Sequence, residues 1–149
     1  MTGEYRNTID EKGRLMIPPK FREQMGNLTE LYLTKTNTSS LWLFTKEGYE
    51  ALASRVNSDP LAALNTNVVM IKRLIIDPAR EVELDKAGRL SIPQVLRDFA
   101  SIGLKEECVI LGSGNKLEIC SARKYDEYVA ENLCNLGKAG DAVSSMGQK

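Results

Sequence analysis

Residues 10–22 read DEKGRLMIPPKFR, and residues 85–97 read DKAGRLSIPQVLR. Set 75 residues apart, the two stretches carry the same Asp, Gly, Arg, Leu, Ile, Pro and Arg at the same places. One more residue of offset pairs LWLFTKEGYEAL (41–52) with LEICSARKYDEYV (117–129), matching Leu41 to Leu117 and Tyr49 to Tyr125. A unit of about 45 residues therefore occurs twice.

Each unit reads as strand, turn, strand, short helix, two strands and a helix. EYRNTI is followed by D-E-K-G, with Asp first and Gly fourth as a type I turn prefers, and then by RLMI, which together predict a β-hairpin. Pro18 ends the second strand and suits the first position of a helix, where no N–H partner is needed. LYLT and LWLF are short β-rich runs, and Thr45 can cap a helix with Tyr49, Leu52, Ala53 and Val56 on one face. The second copy follows with CVIL, KLEIC, a Ser121 cap and a face of Tyr125, Tyr128, Val129 and Leu133.

Between the copies, Ser58 or Asp59 can cap a helix with Pro60 in its first turn and Leu61, Leu64, Val68 and Ile71 as an apolar stripe. This predicts a packed helical connector. From Gly137 the chain turns small, polar and Gly-rich, which predicts a disordered tail. The resulting boundaries are a first repeat at 4–51, a connector at 52–78, a second repeat at 79–123, a C-terminal helix at 124–136 and a tail at 137–149.

Composition narrows the chemistry. The chain has 149 residues, 42% of them hydrophobic, with 20 basic and 20 acidic side chains. Net charge is zero, so any polyanion site must be a local patch. The absence of His removes the usual general base, the Ser-His and Cys-His nucleophile pairs and the commonest zinc ligand. Cys108, Cys120 and Cys134 have no C-x-x-C spacing and read as reduced thiols. No catalytic residue, cofactor or metal is expected, and no apolar run approaches the roughly 18 residues that span a bilayer. GSGN at 112–115 is followed by strand-like KLEIC, so it reads as a hairpin turn rather than a phosphate loop.

Alternation along R-L-x-I puts Leu15 and Ile17 on one face and Arg14 and Met16 on the other. The second copy keeps Leu90 and Ile92 but has Ser91 in place of Met16, so the Leu and Ile positions are expected in the core and Arg14 and Arg89 outside. One reading of Asp-x-x-x-Arg is purely local: Asp10 and Asp85 brace the turns, and each Arg pairs with its Asp. The other takes the twice-kept Arg as a contact, since a planar guanidinium suits phosphate oxygens or guanine in a major groove. Arg6, Lys12 and Lys86 lie nearby. Arg22 and Arg97 are each followed by an acid, Glu23 or Asp98, and read as ion-paired or packing residues. A unit this small buries too little surface alone, so the halves are expected to intertwine into one barrel-like core about a pseudo-twofold axis.

The doubled D-x-x-G-R-L-x-I-P-x-x-[FL]-R phrase, in a chain that opens with M-T-G-E-Y, resembles the MraZ family, and each copy looks like a SpoVT/AbrB-type swapped-hairpin unit. The resemblance spans Gly3 to about Leu133. It implies an α+β, β-rich fold: two tandem units forming an intramolecular pseudo-twofold β-barrel with peripheral helices. It also implies a cytoplasmic, nucleoid-associated transcriptional regulator that forms ring-shaped homo-oligomers. Such a regulator binds short repeats in double-stranded promoter DNA upstream of the division and cell wall gene cluster that includes its own gene. The motif positions are Asp10, Arg14, Asp85 and Arg89. Lys12 and Lys86 sit in the turns but are not equivalent, because Ala87 aligns with Lys12. Two other readings stand beside this one: an antitoxin-like DNA-binding protein of the same fold, and a ring-forming interaction module with Met16 and Trp42 on its protein-binding surface.

Overall fold

In the computed structural model, which describes residues 1–146, each copy of the repeat follows the order expected of it. The first comprises β1 (Thr2–Thr8), β2 (Arg14–Met16), α1 (Pro19–Met25), β3 (Leu31–Lys35), β4 (Leu41–Thr45) and α2 (Lys46–Val56). A connector follows, made of a 3₁₀ turn (Pro60–Leu64), α3 (Thr66–Ile71) and a π turn (Lys72–Ile76). The second comprises β5 (Arg80–Val82), β6 (Arg89–Ser91), α4 (Gln94–Phe99), β7 (Glu107–Ser113), β8 (Lys116–Ser121) and α5 (Ala122–Asn132).

Thr45 and Ser121 cap α2 and α5 as their hydroxyls accept from the N–H groups of Gly48 and Lys124. Phe21 and Met25 on α1, and Leu96 on α4, face inward after Pro18 and Pro93 at the helix starts.

The turn at Asp10–Gly13 forms, closed by the Gly13 N–H on the Asp10 carbonyl (3.1 Å) and the Asp10 N–H on the Arg14 carbonyl (2.9 Å). The strands on either side of it do not pair with each other. β1 pairs antiparallel with β7 of the other repeat, and β5 likewise pairs with β3. β2 pairs with β6, so the simple hairpin expected from the local pattern becomes an exchange of strands between the halves. The outcome is a mixed α+β fold with a six-stranded antiparallel sheet, β1-β7-β8-β4-β3-β5, and a separate two-stranded ribbon, β2-β6.

The registers locate the internal symmetry. Leu15 faces Leu90, its own counterpart in the repeat, while Arg14 faces Ser91 and Met16 faces Arg89. On the large sheet Trp42 faces Glu118, again its counterpart. A pseudo-twofold axis therefore passes between Leu15 and Leu90 and between Trp42 and Glu118. Ribbon and sheet close on one core. Leu15, Ile17, Leu90 and Ile92 from the ribbon meet Leu31, Leu33, Leu41, Leu43, Ile110, Leu117 and Ile119 from the sheet, and Phe21 and Leu96 fill the ends.

The regions outside the repeats differ from expectation. The connector is not one packed helix: Asp59 caps the 3₁₀ turn, Asn65 caps α3, and Leu61 and Leu64 stand 70% and 82% exposed. Two polar caps six residues apart divide the segment, and of its stripe only Val68 is half-buried. The tail expected to be disordered from 137 forms α6 (Leu136–Met146), because its alanines, Leu136 and Met146 support helix where the glycines suggested none. Residues 147–149 of that expectation lie outside the described residues. Of the apolar face expected on the second copy's last helix, only Tyr125 is half-buried, while Tyr128, Val129 and Leu133 are exposed. Among the described residues no helix is long and apolar enough to cross a membrane.

Leu15→Ala empties a fully buried site on the axis and is expected to lower the unfolding free energy by about 2–5 kcal/mol. Val95→Ala, on the exposed side of α4, is expected to change it by under about 0.5 kcal/mol. Urea unfolding followed by circular dichroism measures both.

Candidate nucleic-acid interface

The two copies of Asp-x-x-x-Arg adopt the same geometry. Asp10 Oδ1 accepts from the backbone N–H groups of Lys12 and Arg14, each at 2.9 Å, and Asp85 Oδ1 accepts from Ala87 and Arg89 at the same distances. The second carboxylate oxygen of each Asp receives Nε of its Arg at 2.8 Å. Gly13 and Gly88 complete the turns with φ of +78° and +87°, a conformation that disfavours any residue with a Cβ. The local reading of the motif is thus correct as far as it goes, since the Asp does hold both turn and arginine.

The arginine is nevertheless not used up. Only Nε is engaged, and among the described residues neither Nη of Arg14 or Arg89 makes a hydrogen bond. The two side chains keep 28% and 33% of their surface accessible. A carboxylate gripping Nε restricts rotation about the long side chain while its terminal nitrogens point onward. Less of the ordering cost then falls on a binding partner.

The ribbon brings these arginines together. Leu15 and Leu90 are fully buried, so Arg14, Met16, Arg89 and Ser91 share its other face. Arg14 and Arg89 lie on the diagonal of an antiparallel pair, within reach of one another for side chains of this length. They form one site astride the pseudo-twofold axis. Lys12 and Lys86 are exposed in the flanking turns. They are chemically unequal in position, with Ala87 where the first turn has Lys12.

Arg6 does not join this group. Its guanidinium is held by Asp126 on α5 (2.7 Å) and by Glu107 on β7 (3.2 Å), and it lies 6.0 Å from the centre of the Tyr125 ring. Those hydrogen bonds raise its already high pKa and lower that of Asp126. Arg6 ties β1 to the second repeat, a pairing invisible in sequence because Asp126 lies 120 residues away.

Of the two roles expected of Arg22 and Arg97, ion pairing and packing, the structure shows packing, against a partner the sequence does not indicate. Neither pairs with its neighbouring acid. Arg22 Nε donates to the Ile17 carbonyl (2.9 Å) and Arg97 Nε to the Ile92 carbonyl (3.0 Å). Each guanidinium lies over the turn glycine of the opposite repeat, Arg22 on Gly88 and Arg97 on Gly13. The signal was present, since this Arg recurs in both copies as faithfully as Arg14 and Arg89. The adjacent Glu23 and Asp98 obscured it.

Both motif carboxyls titrate below the ordinary aspartate value, chiefly because the backbone N–H of Arg14 or Arg89 bonds to the charged form, with the arginine side chain adding to it. A folded-state pKa below the unfolded one favours the folded turn at pH above the ordinary carboxylate range. That contribution is lost as pH falls through the lowered values. The amides of Gly13, Arg14, Gly88 and Arg89 are therefore expected to hold constant NMR shifts from neutral pH down to the carboxylate range and to move only below it. Asp10→Asn should abolish the acid transition at the first turn and leave it at the second.

The sequence model of the family described as "MraZ protein, putative antitoxin-like" matches residues 1–71 and again 75–141. Each match contains one copy of the turn, the ribbon strand and the arginine-bearing helix. Proteins named Transcriptional regulator MraZ are similar along nearly their whole length. That of Treponema denticola is 36% identical over 147 residues, 99% of each chain. That of Treponema pallidum (strain Nichols) is 39% identical over 145 residues, 97% of this chain and 95% of the relative. That of Oenococcus oeni is 34% identical over 144 residues, 97% of this chain and 96% of the relative. With both repeats matched and relatives aligned nearly end to end, the chain belongs to the MraZ family.

Proposed function

We propose that this chain is a sequence-specific, DNA-binding transcriptional repressor, with no enzymatic activity and no cofactor. In this reading it acts on short repeated promoter elements upstream of the division and cell wall gene cluster that includes its own gene. The observation that carries the reading is the pair of arginines on the outer face of the β2-β6 ribbon, each held through Nε with both Nη free of hydrogen bonds among the described residues. A two-stranded ribbon fits the major groove, and a guanidinium fork matches O6 and N7 of guanine. Arg14 and Arg89 then read bases, Asp10 and Asp85 hold them, and Lys12 and Lys86 meet phosphate. The relatives' names agree with the class of activity.

Zero net charge fits this role if several copies act together. A ring of protomers presents many ribbons to repeated elements, so effective concentration replaces bulk charge. The protein then works in the cytoplasm, on the nucleoid. In the same reading sheet and ribbon wrap as one swapped-hairpin barrel, which is consistent with their common core.

A duplex from the region upstream of the protein's own gene is expected to be retarded in a gel more strongly than a scrambled duplex, with affinity falling steeply as salt rises. Removing one base-reading arginine costs about 1–3 kcal/mol, so Arg14→Ala/Arg89→Ala should weaken specific binding by at least about tenfold. Equal binding by variant and wild type sinks the assignment.

One observation favours a second reading, the antitoxin-like protein. A tail without apolar anchors would speak against it, yet Leu136, Val143 and Met146 stand exposed on α6, 60%, 67% and 78% accessible. Co-purification of a small toxin that is lost on deleting α6 would support that reading.

A further inference from the structure

The ends of the ribbon are built from both repeats. The Ile17 N–H donates to the Gly88 carbonyl at 3.0 Å, extending the ribbon to the second turn, and the Ile17 carbonyl in turn receives Arg22 Nε. The other end repeats this: the Ile92 N–H reaches the Gly13 carbonyl at 2.9 Å, and Arg97 Nε the Ile92 carbonyl. The guanidinium groups pack closely against both turn glycines. A Cβ on Gly88 would lie 2.7 Å from Nε and 2.5 Å from Cζ of Arg22, and one on Gly13 would lie 3.1 Å from Nε of Arg97. Gly13 and Gly88 are also buried, so each turn rests on the opposite repeat's arginine rather than on solvent.

From this crossed geometry we infer that Arg22 and Arg97 are positioning residues, each fixing the DNA-reading turn of the opposite repeat: Arg97 sets Arg14, and Arg22 sets Arg89. The inference rests on the DNA-binding reading above. Glycine suits the turn through its positive φ, and the guanidinium of the opposite repeat packs closely over it. Each DNA-contacting half is composite, so the two copies of the phrase cannot act as separate modules. The arrangement is seen twice in one chain, at sites related by the pseudo-twofold axis, with matching partners.

Lysine keeps the positive charge but has neither the Nε donor nor the planar group, so Arg97→Lys and Arg22→Lys separate positioning from charge. In Arg97→Lys, amide hydrogen exchange at Gly13 and Arg14 should quicken while Gly88 and Arg89 stay protected, and Arg22→Lys should show the reverse. On the promoter duplex, each Lys variant should bind about tenfold more weakly, the scale of coupling between contacting residues. Arg97→Lys should be non-additive with Arg14→Ala and additive with Arg89→Ala. Loosening of the turn in the same repeat, equal loosening of both turns, or additivity in both cycles would overturn the assignment. The exchange arm is read without DNA, so a wild-type protein that fails to bind the duplex removes the DNA-binding reading while the crossed clamp is still decided on its own.

Discussion

The structure depends on one constraint: the strands on either side of the Asp-x-x-Gly turn diverge into different ladders. Once β1 leaves for β7 and β2 for β6, neither repeat can satisfy its own backbone N–H and C=O groups, and those groups are costly to bury unpaired. Each half must complete the other. From this follow the single shared core, the axis between Leu15 and Leu90, and the covalent joining of two units that each bury too little surface alone.

The same exchange makes the candidate site. A hairpin that paired with itself would carry one arginine at an isolated tip. Pairing β2 with β6 instead sets Arg14 and Arg89 on a single face, with the apolar Leu15 and Leu90 anchored beneath them. The turn carboxylates then serve two ends, bracing the backbone with one oxygen and restraining the arginine with the other. Rigidity at a polar surface is achieved here by short-range hydrogen bonds mounted on a buried apolar floor.

Asymmetry enters where the repeats differ. The first repeat's flank is covered by the connector, which lays Ile76 inward and accepts hydrogen bonds from Thr34 and Tyr49 at the carbonyls of Ile75 and Ile76. Among the described residues the corresponding flank at α5 has no such cover, and there Tyr125 bonds to Glu4 while Tyr128 is exposed. That hydrogen bond, with burial, pushes the Tyr125 phenol up to about 12, so it stays a donor across the accessible pH range.

By itself the sequence determined the local elements, the doubling, the inward Leu and Ile, the outward Arg and the glycine turns, because these follow from spacing and from the conformations a residue allows. It also carried the motif by which the family could be named. Only the tertiary structure decided which strands pair, that Arg6 is bound to Asp126, that Arg22 and Arg97 reach across to the opposite turn, and that Leu61 and Leu64 of the connector stripe lie exposed. The physical reason is range. Periodicity and turn chemistry act within a few residues, whereas strand exchange and the guanidinium over a distant glycine join positions far apart in the chain, where no local pattern records the partner.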